Sequence, residues 1–320
     1  MPKITQWERH IGRRLQLRDL FVFFTVVQNR SMARAAAQLG VSTPAVSEII
    51  ADLEHALGVK VFDRSAKGVA TTHYGEALLI HARAAFDDLR QAIQAIEHIS
   101  DPAAGELRIG ATEPLIDGLI FEVMSPLVTE HPRIRFNVRP GDTASLLRAL
   151  RERTLDLVLS RRFASKGNED LAIEPLFDEQ LFVVAGADSP WLRRRRLRLA
   201  DLIEAPWAMP EPQSPVGTII ADGLRSTGLV LEPRVISNSP AVRIRLVASK
   251  GFLTMLTGSM LHFGTKRLPV AIVPMKLPFR PQSVGIVTVK DRTISAVASL
   301  FIKHLRTAAK PLEKLSGDKI

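Results

Sequence analysis

Apolar residues in the first sixty positions recur with the period of α-helices and predict three short helices. The second helix begins after Ser31, a favourable N-cap, and ends at Gly40, which suits the left-handed residue that closes a helix. The third begins after Ser42 or Thr43 and has Pro44 in its first turn, where a missing N–H costs nothing. The second and third helices together predict a helix-turn-helix, in which the N-terminal end of the third helix can enter a DNA major groove. An ordinary helical hairpin remains the alternative.

Two short strands and a long helix are predicted to follow. Residues 59–62 and 69–71 alternate like the strands of a small wing, with Arg64 and Lys67 in the turn between them. From Thr72 to about Ile99, apolar residues recur in a heptad pattern, which we interpret as a dimerisation seam. The alternative is one amphipathic helix packed on its own domain. The predicted dimerisation seam consists of Leu79, Ala82, Phe86, Leu89, Ile93 and Ile96.

Beyond a break near residue 100, strands alternate with helices as far as about residue 306, which predicts parallel sheets and an α/β fold. The predicted domains are a helical domain with its wing at 1–72, a linker helix and hinge at 73–104, and an α/β domain at 105–306. We expect two lobes with a cleft between them, lobe I at about 105–165 and 277–306 and lobe II at about 166–276. The polar segment 307–320 predicts a flexible tail.

Charge and composition favour one class of partner over others. The net charge is +10, and residues 1–75 carry ten Lys and Arg against six Asp and Glu, which favours a polyanion such as DNA. The absence of cysteine excludes disulfides, thiolate metal sites and a cysteine nucleophile. No apolar run approaches the ~20 residues of a membrane span, so we expect a cytoplasmic protein without a membrane partner. Metal-binding, cofactor and catalytic motifs are absent, so neither a metal, a cofactor nor enzymatic activity is expected.

The stretch SMARAAAQLGVSTPAVSEIIADLEHALGVKVFDR, followed by TTHYGEALL, resembles the N-terminal domain of LysR-type transcriptional regulators. The segments GELRIGATEPLI, LRALRERTLDLVLS and VASKGFLTML resemble parts of the same family's effector domain. The resemblance implies an N-terminal winged helix-turn-helix, a long linker helix, and a C-terminal two-lobed α/β domain like a periplasmic binding protein. It also implies a cytoplasmic regulator that forms homodimers and homotetramers, binds double-stranded promoter DNA, and is switched by a small molecule in the cleft.

The predicted DNA contacts lie on the two short helices and the wing. Many family members have glutamine where this chain has Thr43, and a basic residue where it has Glu48. Threonine cannot read adenine as glutamine does, and Glu48 can accept from a cytosine amino group, so the operator preference stays open. Arg34 is compatible with a phosphate contact or a solvent-facing position. The predicted set is Ser31, Arg34, Thr43, Pro44, Ala45, Ser47, Glu48, Arg64 and Lys67.

The predicted effector contacts lie at strand ends and helix starts. Thr112 and Glu113 lie between a strand and a helix, where an anion can bind, although Thr112 is equally compatible with a plain N-cap. Arg161 follows the third strand at its carboxyl end, where α/β domains bind ligands. Ser214, Ser239 and Thr254 are candidates by resemblance. The expected effector is an organic acid or an aromatic or sugar-like compound; because Glu113 disfavours an anion, a neutral hydroxyl-rich ligand stays open.

The densest positive charge is the run LRRRRLRL at residues 192–199. We interpret it as a solvated loop, with nucleic acid or RNA polymerase as alternative partners. For the whole chain, the alternative to a regulator is a cytoplasmic small-molecule receptor whose N-terminal helices serve only dimerisation. A third interpretation is an α/β enzyme, but the sequence contains no recognisable group of catalytic residues that would support it.

Overall fold

The computed structural model describes residues 15–65, 68–100, 104–161, 167–264 and 268–317. The chain divides into two compact units, Met1–Ala92 and Ile93–Ile320. Within the described residues, no helix has both the length and the apolar character needed to cross a lipid bilayer. The first elements are α1 (Leu17–Asn29), α2 (Met32–Leu39), α3 (Thr43–Leu57), the hairpin β1 (Phe62–Ser65) and β2 (Gly68–Thr71), and α4 (His73–Ser100).

Helices α1 to α3 enclose one apolar core, and their ends follow the predicted signals. The Ser31 hydroxyl accepts a hydrogen bond from the Arg34 N–H at 3.3 Å, and Gly40 ends α2 in the left-handed conformation. Ser42, rather than Thr43, caps α3 by accepting from the Ala45 N–H at 3.3 Å. The predicted helix-turn-helix is therefore confirmed in its boundaries.

The seam predicted along α4 divides into two halves. Leu79 and Ala82 are only 5% and 2% exposed and belong to the core of the N-terminal unit, against which Phe86 also packs. The prediction of a dimer contact is therefore wrong for Leu79 and Ala82, because their own domain covers them, and Phe86 is partly covered by the same core. Leu89 and Ile93, in contrast, are 42% and 58% exposed, and Ile96 is 65% exposed.

Lobe I of the α/β unit is built on a five-stranded sheet in the order β4-β3-β5-β12-β6. Its elements are β3 (Ala104–Ala111), α5 (Glu113–Leu115) with a π-helical turn (Ile116–Ile120), α6 (Phe121–Glu130), β4 (Arg133–Pro140), α7 (Thr143–Arg151), β5 (Leu157–Arg161), β6 (Leu171–Glu179), β12 (Gln282–Val289) and α10 (Ala296–Gly317). Strand β3 is parallel to β4 and β5, whereas β12 is antiparallel to β5 and β6. The sheet is therefore mixed, not parallel as predicted.

Two predicted boundaries of lobe I are wrong. Strand β6 pairs with β12 along its whole length, so Leu171–Glu179 belong to lobe I, although the sequence pattern placed them in lobe II. Helix α10 continues to Gly317, where a flexible tail from residue 307 was predicted. Leu305, Ala309 and Leu312 form the buried stripe of this last part and pack on the lobe I core, while the polar residues between them face solvent.

Lobe II contains a three-stranded antiparallel sheet in the order β10-β7-β11 and a short parallel pair, β8 with β9. Its elements are β7 (Leu181–Gly186), two 3₁₀ turns (Pro190–Arg193 and Leu199–Leu202), β8 (Ala208–Met209), α8 (Pro215–Thr227), β9 (Val235–Ile236), α9 (Pro240–Lys250), β10 (Thr254–Thr257), a π-helical turn (Met260–Gly264) and β11 (Val270–Ile272). Trp207 lies at the centre of its core, and the indole N–H donates to the Leu202 carbonyl at 2.8 Å.

A carboxylate with two arginine partners stabilises the sheet of lobe I. Asp156, just before β5, accepts from Arg108 of β3 at 2.8 Å and from Arg292, beyond β12, at 2.7 Å. Burial raises the pKa of Asp156, but the hydrogen bonds and charges of these arginines lower it further, so that the pKa falls from 3.8 to about 2. The three side chains link segments that are distant in sequence.

We expect acid to destabilise the α/β unit through Asp156. Because the folded pKa lies below the unfolded one, the stabilisation is complete above about pH 5 and is lost as pH falls towards 2. Asp156→Asn should therefore lower the free energy of unfolding by about 2 kcal/mol at pH 7, with the difference from wild type shrinking towards pH 2. Urea unfolding between pH 7 and 2 measures this. Glu174→Gln, at an exposed ion pair with Arg306, is the control; equal pH profiles for both variants would contradict the assignment.

Candidate functional site

The leading turn of α3 presents small and polar residues to solvent. Thr43, Pro44 and Glu48 are exposed, and Ala45 and Ser47 are partly exposed. The opposite face of α3, formed by Val46, Ile50 and Leu53, is buried in the core of the N-terminal unit. The two faces are fixed by the helical period, so the leading turn is available to a partner while the rest of the helix is held in place.

The other predicted DNA contacts lie on the wing and on α2. Arg64 lies on β1, directly opposite Val69 of β2, and its side chain is exposed. Arg34 is exposed on α2, whereas the hydroxyl of Ser31 is used as the N-cap of that helix. Lys67 lies outside the described residues. An exposed cation on a short hairpin next to a helix-turn-helix is suited to contacting a phosphate backbone.

Glu54, which the sequence pattern did not single out, fixes the start of the wing. Its carboxylate is buried and accepts hydrogen bonds from the backbone N–H groups of Val61 and Phe62 at 3.0 and 3.3 Å, and from Lys60 Nζ at 2.6 Å. Burial raises the pKa of Glu54, but these hydrogen bonds outweigh it and the pKa is lowered. The strand predicted at 59–62 begins only at Phe62, because this segment pairs with Glu54 instead.

Gly75 also holds the wing in place. A Cβ atom at this position would overlap the backbone carbonyl oxygen of Val61, so the first turn of α4 can approach the wing only with glycine here. The signal for both residues was present in the sequence. Glu54 is an acidic residue on the apolar side of α3, and Gly75 is the glycine of the segment TTHYGEALL, which resembles the LysR-type N-terminal domain.

A cavity of about 290 Å³ lies between the two lobes of the α/β unit. Its lobe I wall comes from the segment after β3 and the turn after β4, and its lobe II wall comes from the first turn of α8 and from α9. Prolines form much of the apolar lining. The polar side chains that line it are Thr112, Glu113, Asp142, Ser214, Asn238 and Arg243.

Three of the six predicted effector residues do not line this cavity. Arg161 is buried, forms a 2.5 Å ion pair with Glu179 and is therefore occupied within the protein. Ser239 caps α9 by accepting from the Val242 N–H. Thr254 is buried and donates to the Ala208 carbonyl at 2.6 Å. These predictions were wrong because position at a strand or helix end does not reveal which partners the side chain finds across the fold.

The other three predicted residues, Thr112, Glu113 and Ser214, line the cavity. Thr112 does not cap its helix with its side chain. Its Oγ1 accepts a hydrogen bond from Arg161 Nη1 at 2.8 Å. Ser214 caps α8 by accepting from the Gly217 N–H at 3.1 Å. Glu113 is exposed on the lobe I side.

A chain of buried hydrogen bonds leads from the cavity to a crossover between the lobes. Arg161 bonds Thr112 on one side and Glu179 on the other. Glu179 ends β6 in lobe I and is separated by one residue from β7 in lobe II, and its other carboxylate oxygen accepts from the Ser259 N–H at 2.7 Å. Hydrogen bonds therefore connect Thr112, which lines the cavity, with the crossover.

Three polar lining residues were not predicted from the sequence: Asp142, Asn238 and Arg243, of which Arg243 lies on α9. Arg243 is 2% exposed, and its Nη1 donates to Thr254 Oγ1 at 3.2 Å and to the Met255 carbonyl at 3.1 Å. Burial lowers the pKa of Arg243 to about 10, against the opposing effect of the Glu113 charge, so the group stays cationic at neutral pH. The available signal was helical spacing, because Arg243 shares a face with the buried Pro240 and Val247.

The arginine-rich run at 192–199 is a surface loop, as interpreted. Its arginines are exposed, while Leu192 and Leu197 pack against the lobe II core. The Arg194 guanidinium lies over the Trp191 ring, 4.6 Å from its centroid. Such contacts hold the loop against its own lobe and leave its charge in solvent.

Two family models match this chain. The model described as "LysR substrate binding domain" covers residues 100–310, and the model described as "Bacterial regulatory helix-turn-helix protein, lysR family" covers residues 17–76. The chain belongs to the LysR family. It is therefore a LysR-type DNA-binding transcription regulator with an effector-binding domain. The receptor reading, in which the N-terminal helices serve only dimerisation, is excluded, and the family consists of transcriptional regulators rather than enzymes.

Relatives of this LysR-family regulator match along most of its length. The HTH-type transcriptional regulator GbpR of Azospirillum brasilense is 28% identical over 302 residues, which cover 92% of this chain and 87% of GbpR. PcaQ of Agrobacterium fabrum is 29% identical over 300 residues, which cover 93% of this chain and 96% of PcaQ. The fold matches a full-length OxyR variant from Pseudomonas aeruginosa with a TM-score of 0.64 at 21% identity, covering 92% of this chain and 95% of the OxyR chain.

Proposed function

We propose that this regulator reads promoter DNA with the leading turn of α3, contacts the DNA backbone through Arg64, and is controlled by a small molecule in the cleft. The observation that carries the DNA proposal is the division of α3 into a buried apolar face and an exposed leading turn. In helix-turn-helix proteins the recognition helix is packed on its domain through one face, and its exposed N-terminal residues enter the major groove.

The exposed residues have chemistry suited to base edges and phosphates. Thr43 offers a hydroxyl and a methyl group, and Glu48 offers an acceptor for a cytosine amino group. The amino end of α3 and the guanidinium of Arg64 favour phosphates. Within this proposal, Pro44, Ala45 and Ser47 of the same helix also face bases or adjacent phosphates, and Ser31 and Arg34 lie at the edge of the contact.

LysR regulators act as oligomers. We assign the dimer contact of this regulator to the second half of α4, where Leu89, Ile93 and Ile96 expose apolar surface at heptad spacing. A dimer places two helix-turn-helix domains on one promoter and so doubles the contact with DNA. The step to a tetramer rests on the family resemblance.

The effector is proposed to act by changing the closure of the two lobes. Thr112 lines the cavity and is bonded through Arg161 to Glu179 at the crossover, which supports a mechanical link between ligand contact and lobe angle. Because its target is promoter DNA, we place the protein in the bacterial cytoplasm. Contact with RNA polymerase is proposed for the exposed arginines of the loop at 192–199.

Fluorescence anisotropy with double-stranded DNA from upstream of the protein's own gene tests the DNA proposal. Affinity should fall steeply with rising salt, and Arg64→Ala should weaken binding and reduce the slope of log K against log salt by about one for each phosphate that is no longer neutralised. Lys250→Ala, which removes an exposed cation of the effector domain, is the control and should change neither. An unchanged salt slope for Arg64→Ala would contradict a phosphate contact at the wing.

A further inference from the structure

Arg243, the buried arginine that lines the cleft, has N–H donors that the described residues do not use. Arg243 Nη1 bonds two neutral oxygens, whereas Nε has no hydrogen-bond partner among the described residues. Within the same residues, the Arg243 guanidinium forms no ion pair within 4.0 Å. A buried cation without a paired anion has a high free-energy cost. An anion that binds in the adjacent cavity would reduce this cost, and the site therefore favours an anionic ligand.

The exposed carboxylates of the cleft form no ion pair with Arg243 within 4.0 Å among the described residues, although the Glu113 charge acts on Arg243 from a greater distance. Glu113 is exposed to solvent on the lobe I wall. Asp142 is committed to capping α7, since its Oδ1 accepts the Ser145 N–H at 2.9 Å. Both carboxylates line the cavity, so the cavity has a cationic end at Arg243 and acceptor oxygens on the lobe I side, from Glu113 and from the Asp142 oxygen that does not bond the Ser145 N–H.

The first turn of α8 adds a second group that favours an anion. Pro215 has no N–H, and the N–H groups of Gly217 and Thr218 are bonded to Ser214. Val216 lines the cavity at the positive end of this 13-residue helix, and its N–H has no hydrogen-bond partner among the described residues. Arg243 and this helix end belong to the same wall of the cleft.

We infer that the cleft ligand is a small carboxylic acid that also carries hydroxyl or amino groups, and that Arg243 binds its carboxylate. The guanidinium keeps N–H donors at Nη2 and Nε that no described residue uses, and a carboxylate is the acceptor that suits such charged donors. The hydroxyl or amino groups donate to Glu113 and Asp142. This inference rests on the proposal that the effector binds in the cleft, and it resolves the objection that Glu113 disfavours an anion.

Matched pairs of probes that differ only in the carboxylate test the inference with the full-length chain. The pairs are lactate with lactamide, 4-hydroxybenzoate with 4-hydroxybenzamide, and gluconate with gluconamide, at constant ionic strength, with affinities from calorimetry. At least one acid should bind, and its amide should bind about tenfold or more weakly. Arg243→Met should weaken binding of that acid by a similar factor, and Arg243→Lys should retain part of it.

The controls separate this inference from the proposed function. Arg245→Met removes an exposed arginine from the same helix and should leave acid binding unchanged. Asn238→Trp fills the cavity from an exposed lining position and should block binding of any cleft ligand. If Arg243→Met does not fold, as judged by its thermal transition, Arg243→Lys carries the test.

The possible outcomes distinguish failure of the Arg243 assignment from failure of the proposed cleft site. If the amides bind as tightly as the acids and Asn238→Trp blocks them, the cleft binds ligand but the assignment of a carboxylate to Arg243 is wrong. If an acid binds and neither the Arg243 variants nor Asn238→Trp weakens it, the ligand does not occupy the cleft and both proposals fail. Failure of all three acids to bind overturns the inference for Arg243.

Discussion

Replacing Ala45 with glutamate is expected to abolish specific promoter binding without unfolding the N-terminal unit. Ala45 is the third residue of α3, and its N–H is bonded to the Ser42 hydroxyl. Glutamate at this position completes a capping box with Ser42 and is favoured by the helix dipole, so the helix should be as stable as before or more so. In the proposed complex the same carboxylate faces phosphates, and affinity should fall by about 100-fold or more.

The matched control for this variant is Ala45→Gln, which has the same length and the same capping ability without the charge. Anisotropy at two salt concentrations, together with the thermal transition of each variant, separates charge repulsion from steric exclusion. The glutamine variant should keep most of its salt-dependent, non-specific affinity. Wild-type affinity of Ala45→Glu for promoter DNA would show that the leading turn of α3 does not approach the DNA.

The N-terminal unit could be predicted closely from its sequence because its determinants are local. Ser31, Gly40 and Ser42 act within one helical turn of their own position, so the caps and ends of α2 and α3 followed from residue type and spacing. Glu54 was missed for the opposite reason. Its partners lie seven and eight residues further along the chain, beyond the end of α3, and helical periodicity carries no information about them.

The same distinction explains the errors in the α/β unit. The alternation of strands and helices predicted the fold class, but β12 returns from lobe II and enters the lobe I sheet in the antiparallel direction. Its pairing with β6 moves the lobe boundary and depends on residues that lie far apart in sequence. The heptad seam on α4 failed in its first half because the apolar period is the same whether a helix packs on its own core or on a second copy.

The cleft residues show how burial decides the function of a charge. Arg161 and Arg243 are both buried arginines, and both lie close to threonine hydroxyls. Glu179 neutralises Arg161, which thereby becomes a structural connection, whereas Arg243 has no ion-paired carboxylate among the described residues and is the residue that we propose binds the ligand. In the structure both residues lie on regular elements, but the sequence cannot show which of them has a buried acid beside it.

Arg161→Met is expected to be among the most destabilising substitutions in the α/β unit. The Arg161 guanidinium bonds Glu179 through Nε at 3.0 Å and Nη2 at 2.5 Å, with both side chains almost fully buried. Removing the arginine leaves a buried carboxylate without its partner, which costs about 3–5 kcal/mol. For a unit of this size, this corresponds to a fall of about 10 °C in the midpoint of thermal unfolding, measurable by calorimetry.

Two further variants test whether the uncompensated charge is the cause. Adding Glu179→Gln to Arg161→Met removes the buried negative charge, and the double variant should recover part of the lost stability. Arg306→Met breaks an ion pair with Glu174 that is exposed on both sides, and should cost at most about 1 kcal/mol. A cost for Arg161→Met no greater than that for Arg306→Met would contradict the buried pair. It would also remove the proposed link from Thr112 to the crossover, because that link depends on Arg161 being held by Glu179.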